Sequence, residues 1–255
     1  MKRDCFILGS LKCVAYLVFL FCMFSCEAFR GGKSLPVPEA WASHKIHFAE
    51  RDWYARHSDV LVAAGPNRWS STSDSLSVND QDQLTMRIIN RDYRWYASEI
   101  STPWPFEHGA MQALLEGPLG ELDANVIFGF FLYKNDHSEL DIELGTWGKF
   151  SDYNAQFVVA PPIEASRLHR FALPEECHKA MTSICFGSRY FVFRWQCEGG
   201  AITTWRHATT FVPEPRQHHV HLNLWMFKTR PPQQRKSVAI KIHEVRFIPT
   251  DSCTN

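Results

Sequence analysis

The sequence predicts an all-β sandwich, and three observations carry that prediction. Short runs rich in Val, Ile, Phe, Tyr and Trp recur from about residue 45 to 250, separated by Gly, Pro, Asn, Asp and Ser. Several of these runs alternate apolar and polar residues with a period of two, the mark of a strand with one buried face. Little helical period appears in the same span. At 255 residues, 45% hydrophobic and 21% charged, the chain is long enough to bury a large core. No repeat or composition break divides 45–250, which is read as one domain.

The segments around that domain have their own signals. Lys2 and Arg3 precede a 12-residue apolar run, 13–24, and Cys26-Glu27-Ala28 follows it. The run is short for a membrane span and suits a secretory signal peptide over 1–28. Lipid attachment at Cys26, after Ser25, is a second reading, and a retained anchor is a third. All three place the protein outside the cytoplasm: secreted, periplasmic or on the cell surface. Residues 29–44, with Gly31-Gly32, Pro36 and Pro38, form a linker, and 251–255 form a tail.

Cleavage after Ala28 leaves Cys177, Cys185, Cys197 and Cys253. An exported protein would join them in up to two disulfides, with three pairings open. No Cys-x-x-Cys or Cys-x-x-His spacing suggests a metal site. Net formal charge is zero and the pI is near 7.2, so electrostatics gives no case for nucleic acid as a partner.

Within the domain the elements follow in order. Gly65-Pro66-Asn67 is a turn, and Leu84 to Ile88 alternates as a strand. In Arg94 to Ile100, Trp95, Ala97 and Glu99 share a face. Gly109 to Glu116 is a further strand. The apolar run 126–133 has the length, aromatics and internal Gly129 of a central strand covered on both sides. Lys134-Asn135-Asp136 then turns the chain into the next strand, which sets Phe131 and Tyr133 beside that strand's polar face. Asn154 and Gln156 share one face of a strand that ends at Pro161-Pro162. Residues 163–179 are ambiguous, and a short helix around Glu175 is one reading. Thr182 to Cys197 reads as a hairpin about Gly187-Ser188. In 218–227, His219, His221, Asn223, Trp225 and Phe227 line one face, with Val220, Leu222, Leu224 and Met226 on the other. Val238 to Phe247 closes the domain.

The strand after the central run carries the chemistry. In Ser138 to Leu144, Glu139, Asp141 and Glu143 alternate with Leu140, Ile142 and Leu144. Alternate side chains of a strand point to opposite faces, so the acids share one face. Adjacent acids have backbones about 6.6–7 Å apart and repel. Read alone, the pattern also describes a solvated strand face. Read as chemistry, it is a carboxylate pair for glycoside cleavage with a third acid between.

The Glu-x-Asp-x-Glu pattern of Glu139, Asp141 and Glu143 resembles the signature strand of glycoside hydrolase family 16. Leu140 stands where Ile is more common. Trp147, Asn154 and Gln156 with the following Val158-Val159 resemble the segment after that signature. Asn223-Leu224-Trp225 resembles a later cleft strand, and Ala97-Ser98-Glu99 an earlier one. The resemblance runs from about Trp53 to Pro249. It implies a concanavalin-like β-jelly-roll of two antiparallel sheets, the concave one forming a glycan-binding cleft. It also implies retaining, endo-acting hydrolysis of a β-linked polysaccharide, with Glu139 as nucleophile, Glu143 as general acid/base and Asp141 as helper.

Trp95, Glu99, Trp147, Asn154, Gln156, His221, Asn223 and Trp225 are then the substrate-binding candidates. No metal or organic cofactor is needed for this reaction, and a monomer is expected. The uninterrupted spacing of the acids resembles members acting on mixed-linkage glucan or xyloglucan, so a β-glucan is the expected substrate. A transglycosylase, or a non-catalytic carbohydrate-binding protein on the same fold, is the alternative.

Overall fold

A computed structural model describes residues 44–250 and Cys253, apart from 107–108, 150, 163, 188–189 and 209–216. The expected signal peptide, the lipid-anchor alternative at Cys26 and nearly all of the expected linker lie outside the described residues. Among the described residues the regular structure is strand, with 3-10 turns at Ala165–Arg167 and Phe227–Thr229. No helix forms at Glu175. The chain there is a turn, in which the Cys177 N–H bonds the Pro174 carbonyl.

Strands numbered in chain order form two layers. The front sheet runs β1 (Lys45–Phe48), β2 (Arg51–Ala55), β7 (Arg94–Ser101), β16 (His219–Met226), β9 (Val126–Asn135), β10 (Ser138–Leu144), β11 (Ala155–Val159) and β12 (Leu168–Phe171). The back sheet runs β5 (Leu76–Val78), β6 (Leu84–Arg91), β17 (Val238–Ile248), β8 (Gly109–Glu116), β13 (Lys179–Phe186), β14 (Tyr190–Cys197) and β15 (Ile202–Ala208). Every pairing within the two layers is antiparallel. β3 (Ser58–Val62) and β4 (Asn67–Trp69) attach through a short parallel pairing of β4 with β7. This is the jelly-roll sandwich that the sequence predicts.

The core lies between the layers. From the front come Phe128, Phe130, Leu132, Leu140, Ile142, Leu144, Phe157, Val220, Leu222 and Leu224, all fully buried or within 1% of it. From the back come Met111, Leu115, Ile184, Phe186, Phe191, Phe193, Trp195, Ile240 and Ile242. Because the period is two, burying Leu140, Ile142 and Leu144 forces Glu139, Asp141 and Glu143 onto the outer face of the front sheet. A one-residue slip would drive all three acids into the core, so their placement is fixed by core hydrophobicity.

Two disulfides tie the back layer. Cys177 joins Cys197, and Cys185 joins Cys253. This selects one of the three pairings the sequence leaves open. Disulfides of this kind belong to oxidising compartments, consistent with an extracellular location.

Candidate active site

The outer face of the front sheet is organised in rows that cross the strands. Register places Arg170, Gln156, Glu143, Gly129, Asn223 and Glu99 in one row, on β12, β11, β10, β9, β16 and β7. The next row holds Asp141, Phe131, His221 and Ser101, and the next Glu139, Tyr133 and His219. The acids thus form the wall of a cleft whose floor is β9 and whose opposite side is β16 and β7. A β-bulge lies at the end of β9, where Lys134 is left unpaired between Tyr133 and Asn135, opposite Ser138 and Glu139 at the start of β10.

Burial dominates the electrostatics of the acids. It raises the carboxyl of Glu139, up to about 8, and the Glu143 charge adds to the rise, while a hydrogen bond with Asp141 works against it. Asp141 is raised well above the ordinary range by burial and then by the charges of Glu139 and Glu143. Its bond with Glu139 raises it further and lowers Glu139, which favours Asp141 as the donor of that bond. Glu143 is raised by burial, and a hydrogen bond from Gln156 and the charge of Arg170 hold that rise in check. Like charges this close in low dielectric do not all ionise together.

On the far side of the cleft, Glu99 is 3% exposed and paired twice. Arg56 Nη1 donates to its Oε2 at 2.8 Å, and His221 Nδ1 lies 2.9 Å from its Oε1. Burial pushes Glu99 upward, but the charge of Arg56 and the His221 bond outweigh it and hold Glu99 below its ordinary value. Glu99 is therefore held toward its ionised form, whereas burial pushes the three acids across the cleft toward their neutral forms. The Arg56 backbone N–H bonds the Glu99 carbonyl, which sets the two side chains together, and the guanidinium lies 4.3 Å from the Trp69 ring centroid. The His221 ring stacks on Phe131 at 4.8 Å and meets Tyr133 edge-on at 5.8 Å.

Beside the Glu143 row lies an apolar shelf of Trp69, Ala97, Ile127 and Trp225, with Trp147 and Phe227 against it. Asn223, between the shelf and His221, is 5% exposed, and its Oδ1 has no partner among the described residues. A buried amide oxygen without a partner costs about 1–3 kcal/mol, a cost that a ligand hydroxyl would remove.

The structure therefore brings Glu139, Asp141, Glu143, Glu99, Gln156, His221, Asn223, Trp225 and Trp147 to one face. Two expected residues stand elsewhere. Trp95 packs against the core between the sheets. β7 pairs with β16 only from Ser98 onward, while Trp95 pairs with Asn90 in the β6–β7 hairpin, so twist along β7 carries it off the cleft face. Asn154 has its amide occupied by the chain itself: Nδ2 donates to the Gly120 and Leu173 carbonyls, and Oδ1 accepts from the Leu173 N–H. It pins two loops together. Gln156 is turned onto Glu143, its Nε2 2.6 Å from Oε2. Three site residues are absent from the sequence reading: Arg56, Gly129 and Arg170. Gly129 was read only as a strand glycine, and the two arginines show their place only through register with Glu99 and Gln156.

No protein-family model matches the chain, and no curated protein matches it either. Solved structures do match. A lichenase (β-1,3-1,4-glucanase) from a mouse hindgut metagenome is 16% identical, covers 78% of this chain and 93% of its own, and gives a TM-score of 0.57. A glycoside hydrolase family 16 endo-glucanase from Bacteroides ovatus is 12% identical, with 77% and 94% covered and a TM-score of 0.57. A pseudo β-1,3-glucanase of Mycobacterium tuberculosis is 12% identical, with 78% and 91% covered and a TM-score of 0.57. These likenesses establish architecture across most of both chains. The chain has the jelly-roll fold of the glycoside hydrolase family 16 glucanases.

Proposed function

We propose that this protein is an endo-acting, retaining glycoside hydrolase that cleaves a β-linked glucan outside the cytoplasm. The observation that carries the reading is the row Glu139, Asp141, Glu143, held by the buried Leu140, Ile142 and Leu144 on the open face of the front sheet. The fold shared with glucanases supports it.

In this reading the sugar lies over Gly129, between the acid wall and Asn223. Glu143 carries a proton because burial raises it, and passes that proton to the glycosidic oxygen as the bond to the anomeric carbon breaks. Glu139 attacks the anomeric carbon and forms a glycosyl-enzyme. The hydrogen bond donated by Asp141 supports the charge on Glu139 before attack and after release. Glu143, now ionised, takes a proton from water, and that water displaces the sugar from Glu139. The reacting oxygens must stand about 5–5.5 Å apart for this outcome. Asn223 accepts from a sugar hydroxyl, and Trp225 and Trp147 offer apolar surface to sugar C–H groups.

A second reading is a glycan-binding protein without catalysis. Burial favours it, because it raises Glu139 to about 8 even against the lowering by the Asp141 bond, and a protonated carboxyl does not attack. Reducing-sugar release from mixed-linkage glucan, laminarin, xyloglucan and algal galactans separates the two. The hydrolase reading requires release from at least one β-glucan. Binding to a glucan with no release from any polymer selects the second reading.

A further inference from the structure

We propose that Arg170 is a positioning residue that determines which oxygen of Glu143 holds the acid proton. The inference rests on the reading of Glu143 as the acid/base. Arg170 on β12 stands opposite Gln156 on β11, and Gln156 opposite Glu143 on β10. Arg170 Nε donates to Gln156 Oε1 at 3.3 Å, and Gln156 Nε2 donates to Glu143 Oε2 at 2.6 Å.

A primary amide has one accepting end and one donating end, whereas a guanidinium only donates. With Arg170 on one side, the amide oxygen faces the guanidinium and its N–H faces Glu143. Oε2 of Glu143 is then an acceptor, and the acid proton is confined to Oε1. Without Arg170 the amide is free to turn over and present its oxygen to Glu143. Oε2 would then carry the proton and donate it to Gln156 instead of to the leaving group. The Trp147 ring, 5.7 Å from the guanidinium carbon, steadies Arg170 from its other side.

Other charges share this face and set the background. Glu139 and Asp141 lie on the strand of Glu143, Glu99 on β7, and His219 and His221 on β16. Arg56 neutralises Glu99. Lys149 and Asp152 are in the loop after β10, and Arg230 approaches Gly148 there. Of these cations, Arg170 is the one joined to Glu143 through a hydrogen-bonded side chain.

The test uses Arg170→Gln, Arg170→Lys, Gln156→Met and the double variant Arg170→Gln/Gln156→Met. Arg170→Gln should lower kcat/KM on the cleaved glucan about tenfold, the value of one charge-assisted hydrogen bond. It should also move the alkaline limb of the pH profile to higher pH, since Glu143 loses a donated bond and a nearby positive charge. Arg170→Lys, which can only donate, should bring the limb back. The double variant should lose clearly less than the sum of the two single losses, because the hydrogen-bonded part of the Arg170 effect passes through the Gln156 amide and only its direct charge effect adds. A profile for Arg170→Gln that superimposes on wild type, or additive losses, would overturn the proposal. A titration of the Glu143 carboxyl by carbon-13 NMR, assigned with Glu143→Gln, reads the same relay without substrate. There the midpoint must rise in Arg170→Gln, and an unmoved midpoint rejects the relay. Should wild type cleave no glucan, this titration still decides on Arg170 separately from the hydrolase reading.

Discussion

Gly129 and Asn223 face each other across β9 and β16, and a Cβ at position 129 would stand 2.6 Å from Asn223 Oδ1 and 3.3 Å from Phe131 Cδ1. The floor beside Glu143 is thus bare backbone, with the unpartnered amide oxygen at its edge. Gly129→Ala must displace Asn223, Phe131 or both. Misplacement of a positioning group by about 1 Å costs on the order of a hundredfold. Steady-state kinetics should therefore show kcat/KM reduced tenfold or more (~1.4 kcal/mol or above). Unchanged kinetics would mean that the sugar does not use this floor.

The pairing of Arg56 with Glu99 predicts an asymmetry in stability. Arg56→Met leaves a buried carboxylate with only His221 beside it, and breaking such a pair costs about 3–5 kcal/mol. Arg56→Met/Glu99→Gln removes the uncompensated charge and should recover a large part of that loss. Urea unfolding of the two variants measures the difference. If both lose equally, the effect belongs to packing of Arg56 on Trp69.

The acid row predicts how stability depends on pH. Glu139 has its folded value raised from 4.5 to about 8. Between those values the folded state holds a proton that the unfolded state has released. The stability this confers is full below about 4.5 and is lost as pH rises through about 8. Glu139→Gln cannot ionise and avoids that loss. Its melting temperature should exceed that of wild type at pH 8, with the gap closing at pH 4, each kcal/mol being worth about 2–4 °C in a chain of this size. A gap that widens toward pH 4 would contradict the assigned direction.

The disulfides should contribute unequally. Cys185–Cys253 spans 68 residues and Cys177–Cys197 spans 20. Chain entropy assigns them about 4 and about 3 kcal/mol respectively. Paired Cys→Ala variants, compared by denaturant unfolding, should rank in that order. The reverse ranking would place the stabilisation in local packing around Cys177.

How far the sequence reaches can be seen in particular residues. The β9–β10 hairpin and its acids are legible because alternation is local: Leu140, Ile142 and Leu144 must be buried, and the acids follow. Glu99, Asn223 and Trp225 are legible for the same reason, each lying on a strand with clear alternation. Trp95 fails because β7 pairs with different partners along its length, and face-sharing holds only within one ladder. Asn154 fails because its partners, Gly120 and Leu173, lie on loops that alternation does not describe. Arg56 and Arg170 acquire meaning only when strands distant in sequence come into register, 43 and 14 residues from their partners. The same limit leaves the cysteine pairing open until the back sheet is assembled.

The central claim is that Glu139 attacks the sugar while Glu143 moves the proton. Its most direct test is trapping with a 2-deoxy-2-fluoro β-glucoside oligosaccharide bearing a good leaving group, read by intact mass and peptide mapping. Wild type should gain the mass of one fluoroglycosyl unit, carried on Glu139. Glu143→Gln should still acquire the label, because an activated leaving group needs no acid, and should release it slowly. Glu139→Gln should acquire none. A label on another residue, or hydrolysis with inverted anomeric configuration and no label, would contradict the account.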